Sequence, residues 1–395
     1  MIPYPHQEEL SDLALTILRK NAIVYLAMEE RTGKTLTAIL TAEKSAAQNV
    51  LVVTKKKALD GWNDTLAKFK HEKNYTVTNY HQVHKFEHAH DLLIIDESHN
   101  YISAFPKPGG LWRKMLPMAK GVPIIYSSAT PHAQGYQMLF HQFALSTWSP
   151  WHHHKNFYQW FRLYGKPYDL KINGVPIRQY DRCHEQMIKE CVEHMFITRT
   201  RKELGFEHEP EDILHYVELS KETKALYNEL MEHELVDLPD GTLVCDTGSK
   251  LRASLHMLEG GVAKIEEQYL VLANKEKIDY VLDTFGDSDN TVIMYHYKAE
   301  RTKLERYFKK SLLLQATSYA EGVDLSGYSN LIIYSQDFST ARHTQRRARQ
   351  CNKERALPIR VHFLLVKGGT SSQVYKTVSV NKRNFVDSVF IKEKL

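Results

Sequence analysis

Glu29-Glu30-Arg31-Thr32-Gly33-Lys34-Thr35 stands between an apolar run at residues 21–27 (NAIVYLA) and a helical pattern over residues 35–45. A strand, a polar loop and a helix in that order are the frame of a phosphate-binding loop. Such a loop needs inward-turned backbone N–H groups, a glycine, a lysine for the β- and γ-phosphates and a hydroxyl for Mg2+. Gly33, Lys34 and Thr35 supply the last three. The first glycine of the GxxxxGK[ST] pattern falls on Met28, so the pattern is incomplete.

A nucleotide hydrolase also needs an acidic residue at the end of a neighbouring buried strand. Residues 92–99 (LLIIDESH) have that form: four aliphatic residues, then Asp96 and Glu97. Asp96 is the candidate Mg2+ holder beside Thr35, and Glu97 the candidate to polarise an attacking water.

Outward from these two stretches the chain alternates strands and helices. Residues 50–54 (VLVVT) and 123–128 (PIIYSS) read as buried strands, with a helical pattern at 59–69 between them. Beyond Lys275 the alternation returns, with strands at 291–295, 312–315, 330–334 and 360–365 and a helix over 299–310. Short apolar runs separated by helices imply parallel sheets covered by helices on both faces. From about residue 134 to 273 strand signals thin out and amphipathic helical patterns dominate. The expected architecture is α/β in two lobes. Residues 1–205 form the first, with a helical insertion at 134–205. Residues 206–395 form the second, with a helical region at 221–273 and a terminal brace at 366–395.

Composition agrees. A length of 395 residues suits two cores, and 43% hydrophobic with 25% charged residues suits a folded chain. No apolar run approaches the roughly 20 residues of a membrane span. The opening MIPYPHQ lacks a basic-then-apolar leader, so a cytoplasmic protein is expected. Cys183, Cys191, Cys245 and Cys351 never reach a CxxC spacing and read as reduced thiols. Residues 148–154 (WSPWHHH) read as an aromatic loop that packs on the first lobe or touches nucleic acid. Three adjacent histidines cannot all face one ion from a regular element. The net charge of +5 conceals an asymmetry: residues 301–395 hold 18 Lys+Arg against 7 Asp+Glu, leaving the first 300 residues acidic by 6. A basic balance so concentrated suits a polyanionic partner.

Taken in order, the motifs resemble those of superfamily-two helicases, with the acidic box written DESH, and most of all the Swi/Snf-like branch of DNA translocases. Pro5-His6-Gln7 resembles the adenine-reading glutamine motif. Ala27 to Thr35 resembles that branch's ADEMGLGKT, which also lacks the first glycine, although Arg31 stands where a glycine is usual. Residues 50–62 resemble motif Ia, 78–80 motif Ib, and Ser128-Ala129-Thr130-Pro131 motif III. Residues 196–202, 217–220 and 226–227 resemble the passage into the second lobe. There, 321–325 stand at motif V, Gln345-Arg346-Arg347-Ala348-Arg349-Gln350 at motif VI, and 363–370 at the bracing tail.

The resemblance implies two RecA-like lobes, ATP and Mg2+ as cofactors, and double-stranded DNA as the track. It assigns nucleotide contacts to Gln7, Thr32, Gly33, Lys34, Thr35 and Gln345, with Thr35 and Asp96 at the metal. It assigns DNA contacts to Lys55, Lys56, Tyr80, Thr317 and Ser318. Catalysis is assigned to Lys34, Asp96, Glu97, Arg346 and Arg349. The family's second arginine of motif VI falls on Asn352, so either Arg346 and Arg349 carry that duty or Arg355 reaches in from a shifted helix. Two other functions compete with the translocase: a strand-unwinding DNA or RNA helicase, and a nucleic-acid-binding module whose ATPase is impaired, as Arg31 and Asn352 would suit. The absence of a recognisable reader domain suits a phage or mobile-element motor that a partner protein targets.

Overall fold

The computed structural model describes residues 1–86, 90–172, 175–316, 325–351, 355 and 358–381. The chain divides into two compact units, Met1–Gly205 and Phe206–Leu395.

In the first unit the order is α1 (Pro5–Asn21), β1 (Ile23–Leu26), α2 (Lys34–Glu43), β2 (Asn49–Thr54), α3 (Leu59–Lys68), β3 (Asn74–Asn79), β4 (Leu92–Asp96), α4 (Gly110–Ala119), β5 (Ile124–Ser127), α5 (Leu139–Ala144), α6 (Phe157–Tyr164), β6 (Tyr168–Ile172), β7 (Val175–Gln179), α7 (Glu185–Val192) and β8 (Phe196–Ile197). Six of these strands form one parallel sheet in the order β3-β2-β4-β5-β1-β8. Its central strands are buried along almost their whole length because helices cover both faces. Register sets Leu93 against Ile124 and Asp96 against Ser127, so β4 and β5 end level with one another. The loops after β1, β4 and β5 therefore leave the same carboxyl edge, where open α/β sheets bind their ligands.

The second unit runs β9 (Pro210–Val217), α8 (Lys221–His233), β10 (Leu235–Leu238), β11 (Gly241–Val244), α9 (Gly248–Glu259), β12 (Val262–Ile265), β13 (Gln268–Val271), α10 (Glu276–Phe285), β14 (Thr291–Tyr295), α11 (Lys298–Tyr307), β15 (Leu312–Gln315), β16 (Asn330–Ile333), α12 (Thr340–Arg347), β17 (Ile359–Val366) and α13 (Thr370–Tyr375). Its parallel sheet has the order β15-β14-β16-β17-β9. Each unit is thus a parallel sheet flanked by helices, the arrangement expected of a RecA-like lobe. At the start of the expected brace, α13 and the turn after it place Val374 and Val378 in the core beneath α8 and α9.

The stretch read as helical is less so than expected. It contains β9 and three antiparallel hairpins, β6–β7, β10–β11 and β12–β13. Two edge strands of the main sheets are also hidden in the sequence: β3 and β9 each expose part of their length and carry polar residues, so neither reads as an apolar run.

Candidate active site

The loop between β1 and α2 is built on two left-handed residues, Arg31 at φ 67° and Gly33 at φ 86°. Left-handed turns of this kind gather backbone N–H groups toward an anion. Gly33 is required by its φ, and a Cβ there would also push aside the amide end of Gln7. Arg31 occupies a backbone conformation that suits glycine, which accounts for the residue the resembling motif places there.

Gln7 is buried and bonded at both ends. Its Oε1 accepts the Tyr4 N–H at 2.9 Å and its Nε2 donates to the Gly33 carbonyl at 3.3 Å. An adenine contact by Gln7 would require those bonds to be exchanged. Lys34 donates to the carbonyls of Met28 at 2.9 Å and Glu29 at 2.8 Å, closing its own loop. Burial pulls the ammonium below the usual lysine range, opposed by Glu30, Glu97 and Asp96, so three carboxylates lie within its electrostatic reach. Thr32 is buried, with its hydroxyl on the Glu29 carbonyl, and Thr35 sits half-exposed in the first turn of α2.

Asp96 ends β4, and its Oδ2 accepts from Thr54 Oγ1 at 2.7 Å and Trp62 Nε1 at 3.1 Å. Glu97 follows in a left-handed conformation, φ 55°, its N–H on the Ser127 carbonyl at 2.7 Å. Its Oε2 is buried without a hydrogen-bond donor. Burial pushes its carboxyl up to about 7, with Lys55 opposing and Asp96 adding to the shift. A carboxylate poised near neutrality suits a general base. His99 Nδ1 lies 3.4 Å from that oxygen, but burial holds His99 at about 3, so the imidazole is neutral and the contact is no ion pair. The same nitrogen is 2.7 Å from Ser128 Oγ, and Nε2 is 3.2 Å from Thr130 Oγ1. The acidic box is thereby tied to the loop after β5.

The glycine cradle and the donor-less carboxylate fit a nucleoside triphosphate with its Mg2+. Lys34 and the loop N–H groups are placed to hold phosphates, Thr35 and Asp96 to hold the ion, and Glu97 to take a proton from water.

Other expected residues fare differently. Tyr80, expected among the DNA contacts, is buried, donates to the Asp96 carbonyl at 2.6 Å and stacks on Tyr101 at 4.2 Å, so its observed role is to support the acidic strand end. Lys56 is exposed in the turn after β2, whereas Lys55 is half-buried and acts electrostatically on Glu97 and His99. In the stretch that resembles motif VI, Arg346 is buried and donates to Asp337 Oδ2 at 3.0 Å, a bond it would have to exchange to meet a phosphate. Arg347 ties α12 to the sheet edge through Asp212 at 2.5 Å and the Pro210 carbonyl at 2.9 Å. Arg355 spends its guanidinium on the carbonyls of Ser326 and Tyr328. Arg349 is half-buried beyond the end of α12. Thr317, Ser318, residues 321–324 of motif V, Asn352 and the Gln345 side chain lie outside what the structure describes.

The sequence reading missed four supports of the site. Thr54 and Trp62 hold Asp96, and Glu30 faces Lys34. Arg201 braces the loop from beyond β8: its N–H reaches Glu29 Oε2 at 2.8 Å and its guanidinium lies 3.7 Å from both Glu29 and Glu30. Trp62 closes the stretch that resembles motif Ia, but its partner follows only from β2 lying beside β4.

No family model and no curated protein sequence matches the chain. Among solved structures it is similar to the SWI2/SNF2 ATPase core of Sulfolobus solfataricus, determined in complex with double-stranded DNA and alone. Identity is 14% and the TM-score 0.42 in both cases, over 100% of this chain and 95% and 94% of those chains.

Proposed function

We propose that the chain is an ATP-hydrolysing motor that tracks along double-stranded DNA. The observation that carries the ATPase half is the assembly, at one sheet edge, of the Gly33–Lys34 loop, the Asp96 and Glu97 carboxylates, and the link from His99 to Ser128 and Thr130. Bound ATP and Mg2+ supply the phosphoryl group and the charge that neutralises it. Lys34 gives up its own loop's carbonyls to meet the phosphates, Asp96 is held in place by Thr54 and Trp62, and Glu97 accepts the proton of the attacking water. The His99 bonds give the site a mechanical outlet, because any shift of Glu97 reaches the loop after β5. The DNA half rests on the motif resemblance and on the basic balance of residues 301–395. Grip through phosphates makes contact independent of base sequence.

The test is the ATPase rate against duplex, single-stranded and branched DNA and RNA. Duplex should stimulate most, and stimulation at limiting DNA should fall steeply between about 50 and 200 mM salt. Stimulation by single strands above duplex would favour an unwinding helicase. Absence of hydrolysis with every nucleic acid would refute the motor.

A further inference from the structure

The β6–β7 hairpin belongs to neither main sheet. Its root is fixed: Lys166 N–H donates to the Arg182 carbonyl at 2.8 Å, His184 N–H to the Tyr164 carbonyl at 2.7 Å, and Tyr164 and Cys183 belong to the first lobe's core. Gly165 turns the chain from α6 into β6 where a Cβ would meet the Phe161 ring at 2.4 Å. Beyond that root the ribbon stands in solvent. Lys171, Val175, Pro176, Ile177 and Arg178 are all exposed, Val175 by 60% and Ile177 by 45%.

The pairing register sorts these residues onto two faces. Leu170 opposes Ile177, with Val175 two residues away on the same side, so one face is apolar. Lys171 opposes Pro176 and Asp169 opposes Arg178, so the other is charged. Two strands alone are marginal in water, and an apolar face left bare on them calls for a partner. Charge chooses among partners. Residues 155–182 hold six Lys and Arg (155, 162, 166, 171, 178, 182) against Asp169 and Asp181, within a first 300 residues that are acidic by 6. Asp169 is engaged by Arg178 at 2.7 Å, and Asp181 accepts from Tyr168 at 3.1 Å while Arg182 lies over the Tyr168 ring at 3.9 Å. Lys155, Arg162, Lys166 and Lys171 are exposed. Cations beside apolar side chains suit a DNA duplex where its stacking is interrupted, the cations on phosphates and the aliphatic groups against an exposed base step.

We infer that the β6–β7 hairpin is a DNA-binding pin, directed at duplexes that carry a fork or branch. Lys166 and Lys171 bind backbone phosphates, and Val175 and Ile177 press on the unstacked base pair at the junction. The inference rests on the DNA-motor reading.

The test measures binding alone, by fluorescence anisotropy of labelled blunt and forked duplexes of about 30 base pairs, long enough for several phosphate contacts. The proteins are the full chain, Lys166→Gln/Lys171→Gln and Val175→Ser/Ile177→Ser, each checked for an unchanged melting temperature. The lysine variant should bind both DNAs about tenfold more weakly, with a log–log salt slope smaller by about two. The aliphatic variant should bind blunt duplex as the parent does and lose the preference for the fork. Equal affinity and slope for parent and lysine variant would overturn the pin, as would a fork preference kept by the aliphatic variant. Self-association that only the aliphatic variant loses, with DNA binding unchanged, would also overturn it in favour of a protein contact. A parent chain that binds neither DNA would instead refute the motor reading.

Discussion

Ser128 Oγ lies 2.7 Å from Nδ1 of His99, joining the loop after β5 to the turn after β4. Because burial keeps His99 neutral, its ring can donate from one nitrogen and accept at the other, and Thr130 takes the second position at 3.2 Å. Both hydroxyls contact His99 and not Lys34, Asp96 or Glu97. Ser128→Ala/Thr130→Ala should therefore keep ATPase within about fivefold of the parent while losing most ATP-driven displacement of a protein bound to duplex DNA, because a hydrogen-bond relay, not a reacting group, is removed. Comparable loss of both activities would place these hydroxyls in the chemistry itself.

Lys34→Ala should bind DNA and fail to hydrolyse ATP, since Lys34 is the loop's ammonium and faces Glu30, Glu97 and Asp96. Glu97→Gln should bind ATP and turn over at least about a hundredfold more slowly, because the amide cannot take a proton. Single-turnover hydrolysis separates the two, and a normal chemical step in the glutamine variant would remove Glu97 from the base role.

The two left-handed loop residues should respond in opposite ways. Arg31→Gly relieves a backbone cost of roughly 1 kcal/mol and adds a comparable cost in unfolded-chain entropy, so stability and ATPase should stay near parental values. Gly33→Ala puts a Cβ into Gln7 at a φ of 86° and should abolish nucleotide binding. Isothermal titration with a non-hydrolysable ATP analogue reads both. Strong loss of binding in Arg31→Gly would show that the guanidinium contributes more than its backbone conformation.

Legibility followed burial. The central strands β1, β2, β4 and β5 announce themselves because both faces are covered and all but their end residues are apolar. Edge strand β3, NYTVTN, keeps part of its length in solvent and carries no such mark. In the site, Lys34, Asp96 and Glu97 could be picked out from spacing alone, because each ends or begins an element next to a glycine or an aliphatic run. The residues around them could not. Tyr80 and Arg346 lie in motifs that suggest ligand contact, and only packing shows that one is buried beneath the Asp96 carbonyl and the other against Asp337. Arg201, 172 residues from Glu29, reaches the loop only because β8 pairs with β1.

Acid should destabilise the fold early. Burial holds His99 at about 3 and His141, His296 and His362 at about 4, all below the ordinary histidine value of 6.5. As pH falls through 6.5 the unfolded chain takes up protons that these groups refuse when folded. Stability present above 6.5 is therefore lost on the way down toward 4, at up to about 1.4 kcal/mol per histidine per pH unit. The melting temperature should already decline between about pH 7 and pH 5, before most carboxylates titrate. A flat profile there, with histidine ring resonances that titrate near 6.5 in the folded chain, would contradict the burial of these rings.

The arginines after β16 should separate by what they touch. Arg346 donates to Asp337 from a buried position, where Arg342 at 3.1 Å is the carboxylate's second cation. Removing Arg346 leaves a buried charge half-compensated, so Arg346→Ala should cost roughly 3 kcal/mol and lower the melting temperature by several degrees. Arg355 anchors the carbonyls of Ser326 and Tyr328, and Arg355→Ala should loosen that loop with a smaller loss. Arg349, half-buried beyond the end of α12, stands where the resembling motif places an arginine. Arg349→Ala should bind ATP nearly as well as the parent and turn over about a hundredfold more slowly, as expected when a cation that meets transition-state charge is lost. Each variant is melted and assayed side by side. An Arg346→Ala protein with parental stability and no turnover would mean that the Asp337 pair opens during the cycle and Arg346 meets the phosphate. Normal turnover in all three would remove the second lobe's arginines from hydrolysis altogether.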